Sequence, residues 1–137
     1  MAPRRFTLQE AESLLPRLSG LLAEIQARNA DYETFRQRVE ALRLKMKGNG
    51  HMRTDLKEAQ AGLERSAEEV NRLAQALQET GCELKDIDQG LVDFRREMDG
   101  REVYLCWKLG ETSIAWWHEL DTGFPGRRPL PPEAAGR

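Results

Sequence analysis

Cysteine and histidine are scarce in this sequence of 137 residues. It has two cysteines, Cys82 and Cys106, and no Cys-x-x-Cys or His-x-x-x-His pair. Zinc fingers and dithiol redox centres use such spacings, so neither class of site is expected. No secretory leader precedes the cysteines, which predicts reduced thiols and a cytoplasmic protein.

Long apolar runs and an excess of one charge are also missing. No stretch approaches the roughly 20 apolar residues that a transmembrane helix needs, so we expect no contact with a membrane. Acidic and basic residues nearly balance, 23 against 21, and the formal net charge is -2. Nucleic-acid binding usually requires a basic excess, so nucleic acid is not an expected partner.

What the sequence does contain is helical periodicity, which begins at the capping-box pattern Thr7-Leu8-Gln9-Glu10. Apolar residues then recur every three or four positions to about Lys47, and Leu15 and Leu22 widen the stripe. Pro16 removes one helical hydrogen bond, so we expect a kink or a short break near it. The stripe consists of Ala11, Leu14, Leu18, Leu21, Ile25, Tyr32, Phe35, Val39, Leu42 and Met46.

A second apolar stripe follows a Gly-Asn-Gly turn that we place at residues 48–53. This stripe ends before Gly81 and consists of Met52, Leu56, Ala59, Leu63, Ser66, Val70, Leu73 and Leu77. Two matched stripes and a short loop predict a long antiparallel, coiled-coil-like hairpin over residues 1–81. Because a bare hairpin buries little apolar area, we expect two chains to pair as a homodimer.

The periodicity changes to that of strands after Gly81. Asp99-Gly100 is a hairpin turn signal, and residues 101–107 alternate in polarity. Residues 91–94, 101–107 and 113–118 therefore predict a three-stranded antiparallel β-meander. We expect a β-rich cap over 82–128 that packs on the hairpin base, and a flexible tail over 129–137. The predicted fold is α+β, mainly α, in one structural domain.

Several short motifs resemble a bacterial family. They are Phe6-Thr7-Leu8-Gln9-Glu10-Ala11, Leu14-Leu15-Pro16, Gly90-Leu91-Val92-Asp93-Phe94, Tyr104-Leu105-Cys106-Trp107, Gly110-Glu111, Trp117-His118-Glu119 and Gly123-Phe124-Pro125-Gly126-Arg127. Together they resemble the domain-of-unknown-function family numbered twenty-two hundred and three, some members of which are labelled "division initiation protein". The family has no established activity, so the resemblance implies no catalytic residues.

The cap holds most of the residues that could bind a ligand. The candidate binding residues are Asp88, Asp93, Glu111, Trp116, Trp117, His118, Glu119 and Arg127. Trp116 and Trp117 are adjacent, so on a strand they face opposite sides and one of them leaves the core. His118 and Glu119 also diverge, which weakens a joint metal site. Arg127 suits internal pairing with Asp93, Asp88 or Glu119.

Two functions remain open from the sequence. The preferred hypothesis is an interaction or scaffold protein, a dimeric hairpin whose aromatic and charged cap contacts a protein partner. No catalytic residue, cofactor or bound metal is predicted under this hypothesis. The alternative is an enzyme or metal-binding protein whose site lies around Asp88, Asp93, His118 and Glu119. The cysteines fit core packing better than redox chemistry, since nothing nearby guarantees a lowered thiol pKa.

Overall fold

The computed structural model describes residues 3–46 and 52–132. The fold is α+β and mainly helical, as the sequence predicts, with the sheet in the C-terminal part. The helices are α1 (Leu8–Ser13), α2 (Leu15–Lys45) and α3 (Arg53–Glu79). The strands are β1 (Glu83–Asp86), β2 (Leu91–Met98), β3 (Arg101–Lys108), β4 (Trp116–His118) and β5 (Arg128–Pro129), and a short 3-10 helix (Phe124–Gly126) precedes β5.

The helical region begins with the predicted capping box. The Thr7 side chain accepts from the Glu10 backbone N–H at 3.1 Å, and the Glu10 carboxylate accepts from the Thr7 N–H at 2.8 Å. The helical run is divided at Leu14, and Pro16 lies in the first turn of α2. The missing N–H of Pro16 costs no hydrogen bond there, because the first helical turn has no internal acceptors for its N–H groups.

Helices α2 and α3 pack side by side in opposite directions. Leu18 and Leu22, early in α2, share a core with Leu77 at the end of α3, whereas Val39 packs near Ala59. Helix α2 ends at Lys45, two residues before the predicted end. The predicted turn at 48–53 lies outside the described residues except for its last two positions.

The sheet is a meander of five antiparallel strands in the order β1-β2-β3-β4-β5, not the three that we predict from the sequence. The two additional strands are its short edges, one rich in charge and one containing proline, and both lack the apolar alternation of a strand. Pro129, the expected first residue of the tail, pairs with Trp116, and the Leu130 N–H donates to the Ala115 carbonyl. The ordered chain therefore continues past 128.

The main core lies between the helices and one face of the sheet. The sheet contributes Val92, Phe94, Leu105 and Trp107, which alternate along β2 and β3. Helix α2 meets them through the widened part of its stripe, which includes Leu15 and Leu22. In the described ranges, no helix combines the length and the apolar character needed to cross a membrane.

The far part of the helix pair extends away from the sheet. Gln26 of α2 still contacts the sheet end, since its side-chain amide donates to the Ile87 carbonyl at 3.0 Å. Beyond it, a second small core of Val39, Leu42 and Ala59 is built from the helices themselves. We call α2 and α3 beyond Gln26 the arm; at 1.5 Å rise per residue it is roughly 30 Å long.

Candidate functional site

A group of polar side chains lies on the outer face of the sheet, opposite the helices. Asp93 of β2 pairs directly with Cys106 of β3, and Tyr104 of β3 pairs with His118 of β4. Side chains alternate along a strand, so these residues share the face that Val92, Phe94 and Leu105 do not occupy. We call Asp93, Cys106 and His118 the polar cluster; one ligand atom of each lies within 4.8 Å of the others.

The His118 ring is held at both nitrogens. Nδ1 lies 2.7 Å from the Glu119 carbonyl oxygen, and Nε2 lies 3.0 Å from Asp93 Oδ2. A carbonyl can only accept, so Nδ1 must carry a proton. Nε2 then either accepts from a protonated Asp93 or donates, as an imidazolium, to the carboxylate. The pair therefore holds one shared proton.

Burial raises the pKa values of two members of the polar cluster, Asp93 and Cys106. Asp93 and His118 are 3% and 2% exposed. Burial raises the pKa of Asp93, although the charge and hydrogen bond of His118 act in the opposite direction. Burial, reinforced by the adjacent Asp93, raises the pKa of Cys106 to about 12. The Cys106 thiol is thus protonated at neutral pH. A nucleophilic or redox-active cysteine instead has a lowered pKa, which favours the thiolate.

A small cavity of about 110 Å³ adjoins the polar cluster. All three members of the cluster line it, together with Tyr104. Its outer wall comes from the segment after β4, through Leu120, Gly123 and Phe124. The segment after β4 therefore partly covers the outer face of the sheet at this point, and the three members of the polar cluster are themselves buried.

Charged groups form a network beside the cavity. The Glu83 carboxylate accepts from Arg95 Nε at 2.9 Å, from the Tyr104 hydroxyl at 2.8 Å and from Lys85 Nζ at 3.1 Å. Burial opposes ionisation of Glu83, but the hydrogen bonds from Tyr104, Lys85 and Arg95 together keep its pKa below the ordinary value. The network fixes Tyr104 at the edge of the cavity.

The structure brings together two of the four residues of the alternative site, Asp93 and His118. Glu119 contributes its carbonyl to His118, while its carboxylate turns away and pairs with Arg101 Nη1 at 2.8 Å. Asp88 lies in the β1–β2 turn, where its backbone carbonyl accepts from Gln26 at 3.2 Å. Neither the Glu119 nor the Asp88 carboxylate is part of the polar cluster.

Three other candidates, Glu111, Arg127 and Trp116, form a separate structural group. Arg127 Nη2 donates to both carboxylate oxygens of Glu111 at 3.0 Å. The expected internal pairing of Arg127 thus exists, but the expected partners Asp93, Asp88 and Glu119 are wrong. Its guanidinium lies 4.8 Å from the ring centres of Trp116 and Phe124. The half-buried Trp116 shares the outer face with Cys106 through their direct pairing.

Trp117 lies on the opposite face from Trp116. It pairs with Leu105 and is 8% exposed. The guanidinium of Arg128 lies 5.5 Å from its ring. The adjacent tryptophans therefore divide as the strand geometry requires, with Trp117 buried and Trp116 partly accessible.

Cys106 is the member of the polar cluster that the sequence reasoning missed. The signal was present in the Asp99-Gly100 turn, which has positive φ at both residues, 53° and 79°. A two-residue turn of this type pairs Met98 with Arg101, and counting back along both strands pairs Asp93 with Cys106. The position of His118 depended on β4, whose register no turn signal specifies.

The fold and site define a class: a mainly helical α+β protein with a buried Asp-Cys-His cluster on the outer face of its C-terminal sheet. The chain belongs to the family described as "Uncharacterized conserved protein (DUF2203)", whose model matches residues 4–130. This confirms the family that the sequence motifs indicate. Comparisons with curated proteins and with solved structures give no match.

Proposed function

We propose that this protein is a homodimeric interaction protein, in which the arm forms a coiled-coil-like hairpin that pairs with the arm of a second copy. The sheet end would then be free to contact a protein partner. The observation that carries this proposal is the exposed apolar groove on the arm. It is lined by Arg36, Val39, Glu40, Arg43, Leu44, Gln60 and Leu63.

The apolar residues of the arm support a paired state. Leu44 is 68% exposed, although it lies beside the buried Val39 and Leu42. The second core is small, because its other apolar members, Met52, Leu56 and Leu63, are only partly buried. Two helices that bury one narrow stripe each gain little stability from it, so covering the groove would stabilise the arm.

The charges around the groove favour a second copy as the occupant. Arg36 and Arg43 flank Glu40 along α2, so the rim offers both signs of charge. A two-fold dimer places the same surface on both partners, and a surface with both signs can satisfy its own charges. A partner of one strong charge would suit a rim of the opposite charge instead.

The sheet end supplies the surface that we assign to a protein partner. Trp116 and Phe124 are half-buried and stack with Arg127, and aromatic residues and arginine are typical of interface centres.

Both cysteines are free and buried. Free thiols fit a cytoplasmic setting, where disulfides are rare.

Substitution of Leu44 by glutamate tests the dimer. We expect Leu44→Glu to weaken dimerisation at least about tenfold, because a charged carboxylate would replace the apolar contact that the second copy covers. The isolated chain should keep its stability, since exposed positions usually tolerate substitution. Sedimentation equilibrium of the full chain measures the dissociation constant, and circular dichroism checks the fold.

Thr34→Glu is the matched control, because it adds the same charge at an exposed position on the flank of α2 that turns away from the groove. It should leave the dissociation constant within about twofold of the wild type. Equal dimerisation of the wild type, Leu44→Glu and Thr34→Glu would contradict pairing through the arm groove.

A further inference from the structure

We propose that Asp93, Cys106 and His118 bind a divalent cation of the zinc class, with one coordination position open to the adjoining cavity. This site differs from the alternative expected from sequence, since Cys106 replaces Asp88 and Glu119 as a ligand. It also revises the expectation that no metal binds. The proposal is independent of the dimer.

The donor atoms suit zinc in type and in spacing. A carboxylate oxygen, a thiolate sulfur and an imidazole nitrogen are the three ligand types that zinc takes in proteins. They lie within 4.8 Å of one another, and the histidine and aspartate atoms are already 3.0 Å apart. Tetrahedral ligands lie roughly 3.5 Å apart at zinc bond lengths, so small side-chain shifts close the site.

The surroundings of His118 prepare its Nε2 for a cation. Because Nδ1–H donates to the Glu119 carbonyl, the neutral ring presents the Nε2 lone pair towards Asp93 and Cys106. A metal-bound histidine commonly has this arrangement, in which a backbone carbonyl fixes the ring and its tautomer. The backbone carbonyl directly after β4 therefore supplies the second layer of such a site.

Charge balance also favours a divalent ion. Asp93 and Cys106 carry two negative charges when both are ionised, and these match one divalent cation. Binding would release two protons to solvent, the Cys106 thiol proton and the proton shared by Asp93 and His118. Lys85 lines the cavity, but its ammonium is paired with Glu83 at 3.1 Å, which limits its repulsion of a cation.

The cavity provides the fourth ligand position. All three proposed ligands line its volume of about 110 Å³, which is large enough for water. Three protein ligands with one open position are typical of catalytic zinc, whereas structural zinc has four protein ligands. The Tyr104 hydroxyl, held by Glu83 at 2.8 Å, lies on the same cavity wall.

Cobalt spectroscopy tests the site, because thiolate ligation of Co²⁺ gives a sulfur-to-metal charge-transfer absorption. The reduced full chain, purified without an affinity tag and freed of metal by a chelator, is titrated with Co²⁺ and then with Zn²⁺. We expect the absorption to saturate at one equivalent and to disappear when Zn²⁺ displaces the cobalt. Asp93→Asn should weaken Co²⁺ binding at least about tenfold.

The two cysteines provide a matched pair of variants. Cys82 is buried like Cys106 but lies outside the polar cluster. Its Sγ is 3.3 Å from the Thr80 hydroxyl oxygen. Cys82→Ser should keep the charge-transfer absorption, and Cys106→Ser should lose it. Since Cys82→Ser retains Cys106 as its only thiol, its spectrum decides the question even where Cys106→Ser fails to fold.

Two results would overturn the proposal. One is the absence of the charge-transfer absorption when Co²⁺ is added to folded wild type and to folded Cys82→Ser. The other is an absorption of unchanged strength in folded Cys106→Ser, which would place the cation elsewhere.

Discussion

At the scale of residues, the sheet end is organised by polar groups that satisfy one another. Asp93 and His118 share a proton on the outer face, while Glu111 holds Arg127 against Trp116. Glu83 collects three donors beside them. Removing one partner from such a group leaves the others unsatisfied, so these positions should be more sensitive to substitution than exposed ion pairs.

The substitution Glu83→Gln tests this greater sensitivity to substitution at one residue. We expect it to lower the free energy of unfolding by about 1 kcal/mol at neutral pH, because the hydrogen bonds to a half-buried carboxylate lose their charge. The pKa of Glu83 is lowered by folding, so its contribution is complete above the ordinary carboxyl pKa of about 4.3. The contribution disappears as the pH falls through the lower folded-state pKa.

Urea denaturation at neutral and at acidic pH measures the effect. The difference between the wild type and Glu83→Gln should narrow in acid. Glu97→Gln is the control, since Glu97 pairs with Arg5 where both side chains are 58% exposed. Its effect should stay below about 0.5 kcal/mol. A Glu83→Gln difference that is the same at both pH values would refute the charged network.

At the scale of elements, the sequence patterns that predicted helices and strands correctly were local ones. The capping box, the apolar stripes and the Asp99-Gly100 turn depend on neighbouring residues, and each predicts its element. The edge strands β1 and β5 are held by pairing with β2 and β4 rather than by their own residues. Their formation depends on contacts distant in sequence, which no local pattern specifies.

Close approach of the helices shows the same limit. Ala59 and Ser66 are the small residues of the predicted second stripe, and both are buried. A third small residue, Gly62, lies against Phe35, because a Cβ added to Gly62 would overlap the Phe35 ring. Which small residue faces an aromatic ring depends on the relative rotation of α2 and α3, and a stripe on one helix does not determine it.

Substitution of two glycines by alanine distinguishes a turn position, where positive φ favours glycine, from a helix position, where alanine is preferred. Gly100 has φ of 79° and open space where a Cβ would be added, so Gly100→Ala should destabilise the chain by about 1 kcal/mol through backbone strain alone. Gly20 also has open space but lies within α2, so Gly20→Ala should stabilise it by about 0.5–1 kcal/mol. Urea denaturation measures both, and a loss of stability in both variants would contradict the assigned backbone states.

At the scale of the whole molecule, the sheet end and the arm have different roles. The sheet end contains the main core, the polar cluster and the cavity. The arm contains a small core and an exposed leucine, which a second copy would cover. The candidate site was only partly predictable: the Asp99-Gly100 turn specifies the pairing of Asp93 with Cys106, whereas no turn signal specifies the register of β4, which brings His118 to them.

The mass of the wild-type chain in solution tests the proposed dimer most directly. Size-exclusion chromatography with light scattering at micromolar concentration should give twice the chain mass of 15.7 kDa. Dilution should move the mass towards that of one chain, as expected for reversible pairing. A mass of 15.7 kDa throughout the micromolar range would contradict the proposal.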